Sequence, residues 1–511
     1  MSLVGRDLIS IHDLSRVEIL EVLELGKRMH DAEKQGRRNN WGTKLEGMTL
    51  ASLFYEASTR TRQSFDTAVR ELGGRRIGFS GTEGTSVAKG ETIRDTVMMY
   101  CANHAHAIVM RHPRDGSLQW AADVAHIPVV NGGDGKNEHP TQALLDLLTM
   151  YVVRQGKMNQ LRVGFGGDLA HGRTVGSLTR ALSHFERVEV HWAAHDIFAM
   201  PSHLEHILEA KGVRVVRHDT VKDVLQNVDF YYMTRPQMER MNGTPQEEVL
   251  RILAQYRITP ALLTGISARI MHPLPIDSRL REIEPEVAFL PNALYYLQAE
   301  MGIFARKALL HELLVEQGQS DYLPYSGVLP FELASTNNRL QRAVGHHDKP
   351  TGIVHSIENG IVIDHLSSSA NVDAILQPEA RLRPDRKIHL GAYGKFPDAH
   401  GGVKTVYKTD LPELTERELR SIALASPGAT INVIREGRVI DKFVYVLCGN
   451  ENCVTRVVEE AVPAKLYAED GHAHCRYCRK PVEIPSRKVT AEERAAFIAS
   501  LPTRIEPIVY R

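Results

Sequence analysis

The sequence predicts an α/β protein in which two parallel-sheet α/β domains are followed by an α+β domain and a small module organised by four cysteines. Three observations predict this. From Leu50 to about Pro291, short apolar runs alternate with stretches of helical periodicity, the pattern of strands joined by crossover helices. After Thr351, strand-like runs follow one another closely with a single helix among them. Cys448, Cys453, Cys475 and Cys478 then crowd together, while the fifth cysteine, Cys101, stands alone in an apolar stretch.

Bulk properties narrow the class. A chain of 511 residues is too long for one core and suggests about three or four domains. Its 43% apolar and 24% charged residues are ordinary for a folded protein. Lys plus Arg and Asp plus Glu number 62 each, so no overall field draws the chain to nucleic acid or a membrane surface. Met1–Arg16 is charged throughout and lacks the apolar segment of a signal peptide, and no apolar run approaches spanning length. A cytoplasmic location is expected. Clustered cysteines in that setting point to a metal rather than to a disulfide framework.

Taken in order, the expected strands of the first part are Leu50–Tyr55, Ala107–Met110, Arg162–Phe165, Val188–Trp192, Phe230–Met233 and Arg269–Met271. A helix around His139–Val153 bridges the two α/β domains, and Tyr295–Glu316 returns to the first. Gln317–Lys349, rich in Gly, Ser, Asn and Pro, reads as a linker with some short structure. Beyond it, Gly360–Asp364, Lys387–Ala392, Lys404–Lys408 and Thr430–Ile434 read as strands and Thr415–Ala425 as a helix. Thr490 and Glu493 have the spacing of a capping box, so a terminal helix to Leu501 is expected. The resulting domains are 1–142 completed by 293–318, then 143–292, a linker at 319–350, 351–442, and the cysteine module with a tail at 443–511.

Chemistry concentrates where strands end. Leu50–Tyr55 feeds, through Glu56-Ala57-Ser58-Thr59-Arg60-Thr61-Arg62, a helix with Phe65, Ala68, Val69 and Leu72 at helical spacing. A first turn carrying hydroxyls and guanidinium groups favours an anion, because the helix dipole and free N–H groups add to the side-chain donors. The bland alternative is a helix cap with two solvated arginines. Arg111 directly follows another strand, at the carboxyl edge where α/β sites form, and His139 and Gln142 lie one turn apart at the start of the bridging helix. Singly these are a surface charge and a helix-terminal residue; together with Arg60 they supply donors for both a phosphate and a carbonyl oxygen.

Ser58-Thr59-Arg60-Thr61, Arg111-His112-Pro113 and His139-Pro140-Thr141-Gln142, in this order, resemble the carbamoyl phosphate motifs of the aspartate and ornithine carbamoyltransferases, and the resemblance runs from about Arg6 to Leu314. It implies two domains of the carbamoyltransferase type. It also implies that Ser58, Thr59, Arg60 and Thr61 hold the phosphate of carbamoyl phosphate, while Arg111, His139 and Gln142 hold its carbamoyl group. Ser86-Val87-Ala88-Lys89 is similar to the family loop that reaches into a neighbouring subunit's site, so Ser86 and Lys89 are expected to act in trans within a homotrimer or higher homo-oligomer.

Charge argues for the acceptor. Aspartate offers two carboxylates and calls for guanidinium donors, whereas ornithine adds a cationic amine and calls for acidic groups. The chain has Met271-His272-Pro273-Leu274-Pro275 with no cysteine, unlike the ornithine branch, and it has Arg173 and Arg235 after strands. Resemblance to the aspartate branch implies that Arg173, Arg235 and Gln237 bind L-aspartate, helped by Leu274 and Pro275 through backbone carbonyls. Ion pairing with acidic neighbours is the structural alternative for these arginines. Glu56 and Arg240 match residues that hold the closed geometry in the family. Ile276 and Ala170-His171 depart from the pattern of many relatives, at positions expected to affect loop closure and contacts between trimers. The reaction implied is acyl transfer without an enzyme nucleophile or cofactor, a step of de novo pyrimidine biosynthesis. Thr61, Arg111 and His139 would stabilise the oxyanion, and Arg60 and Lys89 would offset phosphate charge.

The spacing Cys448-x4-Cys453-x21-Cys475-x2-Cys478 predicts a closed, structural, tetrahedral thiolate zinc site, with His472 and His474 as loop residues and His474 a weaker competing ligand. Thr351 to about Pro485 resembles the regulatory chain of aspartate carbamoyltransferase. Val354, Ser356, Ile357, Asp364, His365, Lys404, Lys408, Asn432 and Lys442 match its effector contacts, which implies nucleoside triphosphates such as CTP and ATP, and UTP as a further candidate. Ordinary surface charge is the bland reading of the lysines. Gly164-Phe165-Gly166-Gly167 with Asp196 hints at a dinucleotide fold, but Leu169 occupies the third glycine position. A zinc-ribbon nucleic-acid-binding protein is opposed by zero net charge. An ornithine carbamoyltransferase-like enzyme with a non-regulatory zinc module is the nearest alternative.

Overall fold

The computed structural model describes residues 3–37, 41–237, 246–315, 337–342, 358–367, 370–376, 392–397, 403–484 and 489–503. They belong to two units that divide between Ser326 and Gly327.

The first unit holds two parallel sheets. One has the order β2-β1-β3-β4, with β1 at Thr49–Phe54, β2 at Arg75–Ser80, β3 at Ala107–His112 and β4 at Val129–Asp134. The other has the order β7-β6-β5-β8-β9, with β5 at Arg162–Gly167, β6 at Glu189–Ala193, β7 at Arg214–Arg217, β8 at Phe230–Thr234 and β9 at Arg269–Met271. Crossovers α2 (Thr59–Glu71), α3 (Ile93–Ala102) and α4 (Ser117–Val124) serve the first sheet, and α6 (Arg173–Leu182), α7 (Ser202–Ala210), α8 (Val221–Asn227) and α9 (Gln246–Ala254) the second. β1, β3, β5 and β8 are almost wholly buried, as their continuous apolar runs require of a parallel sheet covered on both faces.

Three helices tie the sheets together. α1 (Arg16–Lys34) starts in a capping box of Ser15 and Glu18 and buries Ile19, Val22, Leu23, Gly26 and Met29 at helical spacing. α5 (Pro140–Val153) is buried continuously from Pro140 to Tyr151, as a helix between two domains must be. α10 (Tyr295–Leu314) packs against α1, α2 and α5. The helices expected at His139–Val153 and Tyr295–Glu316 are found at Pro140–Val153 and Tyr295–Leu314, with Glu316 outside the described residues.

The second unit carries a six-stranded antiparallel sheet of order β10-β15-β14-β11-β13-β12. Its strands are β10 (Arg339–Gln341), β11 (Gly360–Leu366), β12 (Ala392–Pro397), β13 (Val403–Thr409), β14 (Thr430–Arg435) and β15 (Arg438–Tyr445). Ile361, Ile363, Tyr407, Ile431 and Phe443 form its core with α11 (Glu416–Ala425), whose capping box joins Thr415 and Glu418. β10 arises inside the segment read as a linker: Leu340 is fully buried, and pairing with β15 satisfies backbone groups that a free linker would leave to water. Of the strand expected at Lys387–Ala392, all but Ala392 lies outside the described residues.

The hairpin of β16 (Leu466–Glu469) and β17 (His472–Cys475) turns through Asp470-Gly471, both at positive φ. That is the turn chemistry of a two-residue hairpin. His472 and His474 consequently lie on a strand, not in a loop. α12 (Ala491–Ser500) begins in the expected Thr490–Glu493 capping box. Among the described residues no helix is long and apolar enough to cross a membrane.

Candidate active site

The carboxyl end of β3 and the segments that follow β1, β5, β8 and β9 converge, with the start of α5 and α10 as far as Arg306, on one cavity of about 780 Å³. Parallel strands place all their carboxyl ends on one edge, so residues far apart in sequence meet there. The cavity is lined by Ser58, Thr59, Arg60, Thr61, Arg111, His139, Gln142, Arg173, Arg235, Gln237, Leu274 and Pro275. Ser86 and Lys89 do not line it; they stand exposed on the turn Ser86–Lys89.

Helix ends supply part of the site's donors. α2, α5 and α6 begin at Ser58, His139 and Gly172 without a side-chain cap, whereas α1, α3 and α8 are capped by Ser15, Thr92 and Thr220. First-turn N–H groups at the cavity are thus left for a ligand. Burial, then the charges of Arg111 and Arg235, hold the Arg60 guanidinium below its ordinary pKa. An anion would relieve that repulsion.

Glu56 orients two arginines. Arg111 Nε donates to Glu56 Oε2 at 3.1 Å, and Arg173 Nη1 approaches the same oxygen at 3.9 Å. Arg173 Nη1 also donates to the Gly135 carbonyl at 2.8 Å. It runs beside Gly133, where a Cβ would lie 2.9 Å from the guanidinium carbon. The partner read for Glu56, Arg240, lies outside the described residues.

His139 is buried, and desolvation followed by the charges of Arg173, Arg111 and Arg306 drives its pKa well down, so the imidazole is neutral. Its Nε2 is 3.4 Å from Thr61 Oγ1 and its Nδ1 3.3 Å from Thr141 Oγ1. The backbone N–H of His139 donates to Ser177 Oγ, which in turn donates to buried Glu138. These bonds fix the start of α5.

Several groups escaped the sequence. Arg306, on the fourth turn of α10, lines the cavity and is buried, and burial holds its guanidinium down at about 10. Asp168 accepts from the Gln237 N–H at 3.0 Å and from the His171 N–H at 3.0 Å, joining the loops that follow β5 and β8. Asp146 and Gln298 lie beneath Gln142. The one sequence signal is Asp146, a carboxylate in the apolar run of α5.

In the second unit the four cysteine sulfurs all lie within 4.8 Å of one another and are buried. Cys448 Sγ to Cys478 Sγ is 3.4 Å and Cys453 Sγ to Cys475 Sγ is 3.8 Å. Tetrahedral thiolates at Zn–S distances of about 2.3 Å stand roughly 3.8 Å apart, so the donor set fits a closed, structural zinc ion. His474 is turned to the Arg479 carbonyl and is not one of the four.

Lys408, Val362, Asn432 and Lys442 are register partners across β13, β11, β14 and β15, which puts them in one row on one face of the sheet, opposite the core face. Asn432 Nδ2 donates to Asp364 Oδ2 at 3.3 Å. His365 occupies a bulge in β11 at a φ of 62°. Lys404 lies on β13 opposite Phe396. Val354, Ser356 and Ile357 lie outside the described residues.

Comparison with known proteins fits this geometry. Residues 6–152 match the aspartate/ornithine carbamoyltransferase carbamoyl-P binding domain, and residues 159–313 match the Asp/Orn binding domain of the same family. The aspartate carbamoyltransferase catalytic subunit of Thermococcus onnurineus is 42% identical over 311 residues, which are 60% of this chain and 96% of the relative. The chain belongs to the aspartate/ornithine carbamoyltransferase family. Residues 353–445 and 438–486 match the allosteric and metal binding domains of the aspartate carbamoyltransferase regulatory chain, so both halves are carried on one polypeptide. Catalytic subunit 2 of Shewanella halifaxensis is 40% identical over 319 residues, 62% of this chain and 98% of its own. Among solved structures, the M. jannaschii catalytic subunit aligns with a TM-score of 0.56 at 38% identity, covering 60% of this chain and 97% of that one. Aspartate transcarbamoylase of Trypanosoma cruzi, in complex with carbamoyl phosphate and aspartate, aligns with a TM-score of 0.56 at 33% identity over 61% of this chain and 98% of its own.

Proposed function

We propose that the chain transfers the carbamoyl group of carbamoyl phosphate to the amine of L-aspartate, giving N-carbamoyl-L-aspartate and phosphate for pyrimidine biosynthesis. The observation that carries the reading is a single cavity in which Arg60 and the start of α2 adjoin Arg111 and His139, with Arg173, Arg235 and Gln237 completing its wall. A family relative was solved with carbamoyl phosphate and aspartate together.

Roles follow from this placement. Ser58, Thr59, Arg60 and the first N–H groups of α2 hold the phosphate. Neutral His139 meets Thr141 at Nδ1 and Thr61 at Nε2, and in the tautomer that carries its proton on Nε2 it donates with Arg111 to the carbamoyl oxygen. The amine attacks the carbamoyl carbon, the C–N bond forms, the oxyanion meets Arg111, His139 and Thr61, and the C–O bond to phosphate breaks. The departing phosphate takes the amine proton. Donors fixed before reaction and substrates held at attack distance account for the acceleration. Arg173 and Arg235 favour the dicarboxylate over ornithine, and Glu56, the acidic group beside Arg173, is occupied with Arg111 and Arg173. Exposed Ser86 and Lys89 complete a neighbouring subunit's site, which makes a homotrimer the smallest active form. The row of Lys408, Asn432 and Lys442 beside Asp364 binds a nucleoside triphosphate, with CTP, ATP and UTP as candidates.

The test is phosphate release from carbamoyl phosphate with L-aspartate or L-ornithine, each with and without CTP. Turnover with aspartate alone, altered by CTP, is expected. Turnover with ornithine and not aspartate would overturn the acceptor; aspartate turnover indifferent to every nucleotide would overturn the regulatory role.

A further inference from the structure

We infer that Asp146 is a positioning residue of the transfer reaction, which sets the end of the Gln142 amide that meets the carbamoyl group and ties it to the acceptor loop. The inference rests on the reading of Gln142 as a carbamoyl ligand.

Asp146 sits one helical turn after Gln142 on α5 and is fully buried, behind the cavity and not in its lining. Three donors from three elements meet its carboxylate. Gln142 Nε2 donates to Oδ1 at 2.9 Å, Gln298 Nε2 of α10 donates to Oδ1 at 2.6 Å, and the Tyr232 hydroxyl of β8 donates to Oδ2 at 2.9 Å. Burial raises the Asp146 pKa to about 7, against the hydrogen bonds of Gln298, Gln142 and Tyr232, which favour the carboxylate; that form only accepts, so both amides turn their nitrogens towards it. Gln142 then offers its carbonyl oxygen to the cavity, an acceptor suited to the carbamoyl N–H groups and wrong for the carbamoyl oxygen. Arg111 and His139, both donors, take that oxygen.

The second amide carries the constraint across the site. With Nε2 on Asp146, Gln298 Oε1 accepts the His272 backbone N–H at 2.8 Å. His272 Nδ1 accepts the Leu274 N–H at 2.8 Å, and its Nε2 lies 3.2 Å from buried Glu282. The loop carrying Leu274 and Pro275 is thereby fixed to the same carboxylate that orients Gln142. Tyr232 adds β8, three residues before Arg235. Carbamoyl and acceptor contacts share one buried anchor, and misplacement by about 1 Å costs on the order of 100-fold in rate.

The test compares Asp146→Leu, Asp146→Asn and Gln142→Ala, singly and as the Asp146→Leu/Gln142→Ala pair, in the full-length native oligomer with thermal melts as the folding control. Asp146→Leu is expected to lower kcat on the order of 100-fold. Asp146→Asn keeps one oxygen for both amides and is expected to stay within a few-fold of the parent, which also decides the matter should the Leu variant not fold. The paired variant is expected to be little slower than the slower single one, because each removes the same contact. Independent, multiplying losses in the pair, or a folded Asp146→Asn as slow as Gln142→Ala, would overturn the positioning role. Parental turnover in Gln142→Ala would overturn the carbamoyl reading of Gln142, and this inference with it. Aspartate turnover lost in Gln142→Ala but parental in folded Asp146→Leu would overturn this inference alone.

Discussion

The candidate active-site cavity and the proposed nucleotide face of the second unit assemble their polar residues in opposite ways. The cavity draws on five strand ends and four helices, and Arg111, Gln142 and the Gln237 N–H are held by Glu56 and by buried Asp146 and Asp168. The proposed nucleotide face is one row across four neighbouring strands, Lys408, Val362, Asn432 and Lys442, with Asp364 beside it. Register alone aligns such a row, and its lysines are half-exposed rather than buried. Fixed donors suit a transition state, which tolerates little displacement; a half-exposed row suits ligands that differ in base but share a phosphate chain.

The largest effect expected is at the fixed site. Arg60→Ala should lower kcat/KM on the order of 1000-fold while nucleotide binding, followed by calorimetry, stays at the parental level. Near-parental turnover would break the contrast at its root. Chelation of the metal comes next. It should unfold the cysteine module and expose four reactive thiols, not five, because burial pushes the Cys101 thiol up to about 11 and keeps it protonated and inert near neutral pH. Five fast thiols in a titration would contradict the placement of Cys101.

Lys408→Ala should weaken nucleotide binding about ten-fold and leave transfer without effectors unchanged. A drop in basal kcat would mean the two regions are not separable in this way. The smallest effect is expected at Arg342, whose Nε lies 3.6 Å from Glu493 of α12. β10 and α12 fall outside both regulatory-chain matches, yet Arg342 also donates to Thr430, and Asn337 exchanges hydrogen bonds with Leu466 of the zinc hairpin. Arg342→Ala should cost the second unit under about 1 kcal/mol, read as a small shift in its melt. A larger loss would make these added segments a principal support of the unit.

Sequence alone determined the parallel α/β class, the anion motif at Ser58–Thr61, the arginines at strand ends and the cysteine quartet. Each is a local signal: apolar period, helix-start chemistry or ligand spacing. Tertiary structure decided the rest. That Asp146, Asp168 and Gln298 govern the site depends on which helix and loop lie against which strand end, and no spacing encodes it. The edge strand β10 was unreadable because three residues in a polar segment become a strand only when β15 supplies their partners. Polar groups buried inside apolar helices are legible as oddities in a sequence, but only folding gives them the hydrogen-bond partners that make their burial tolerable.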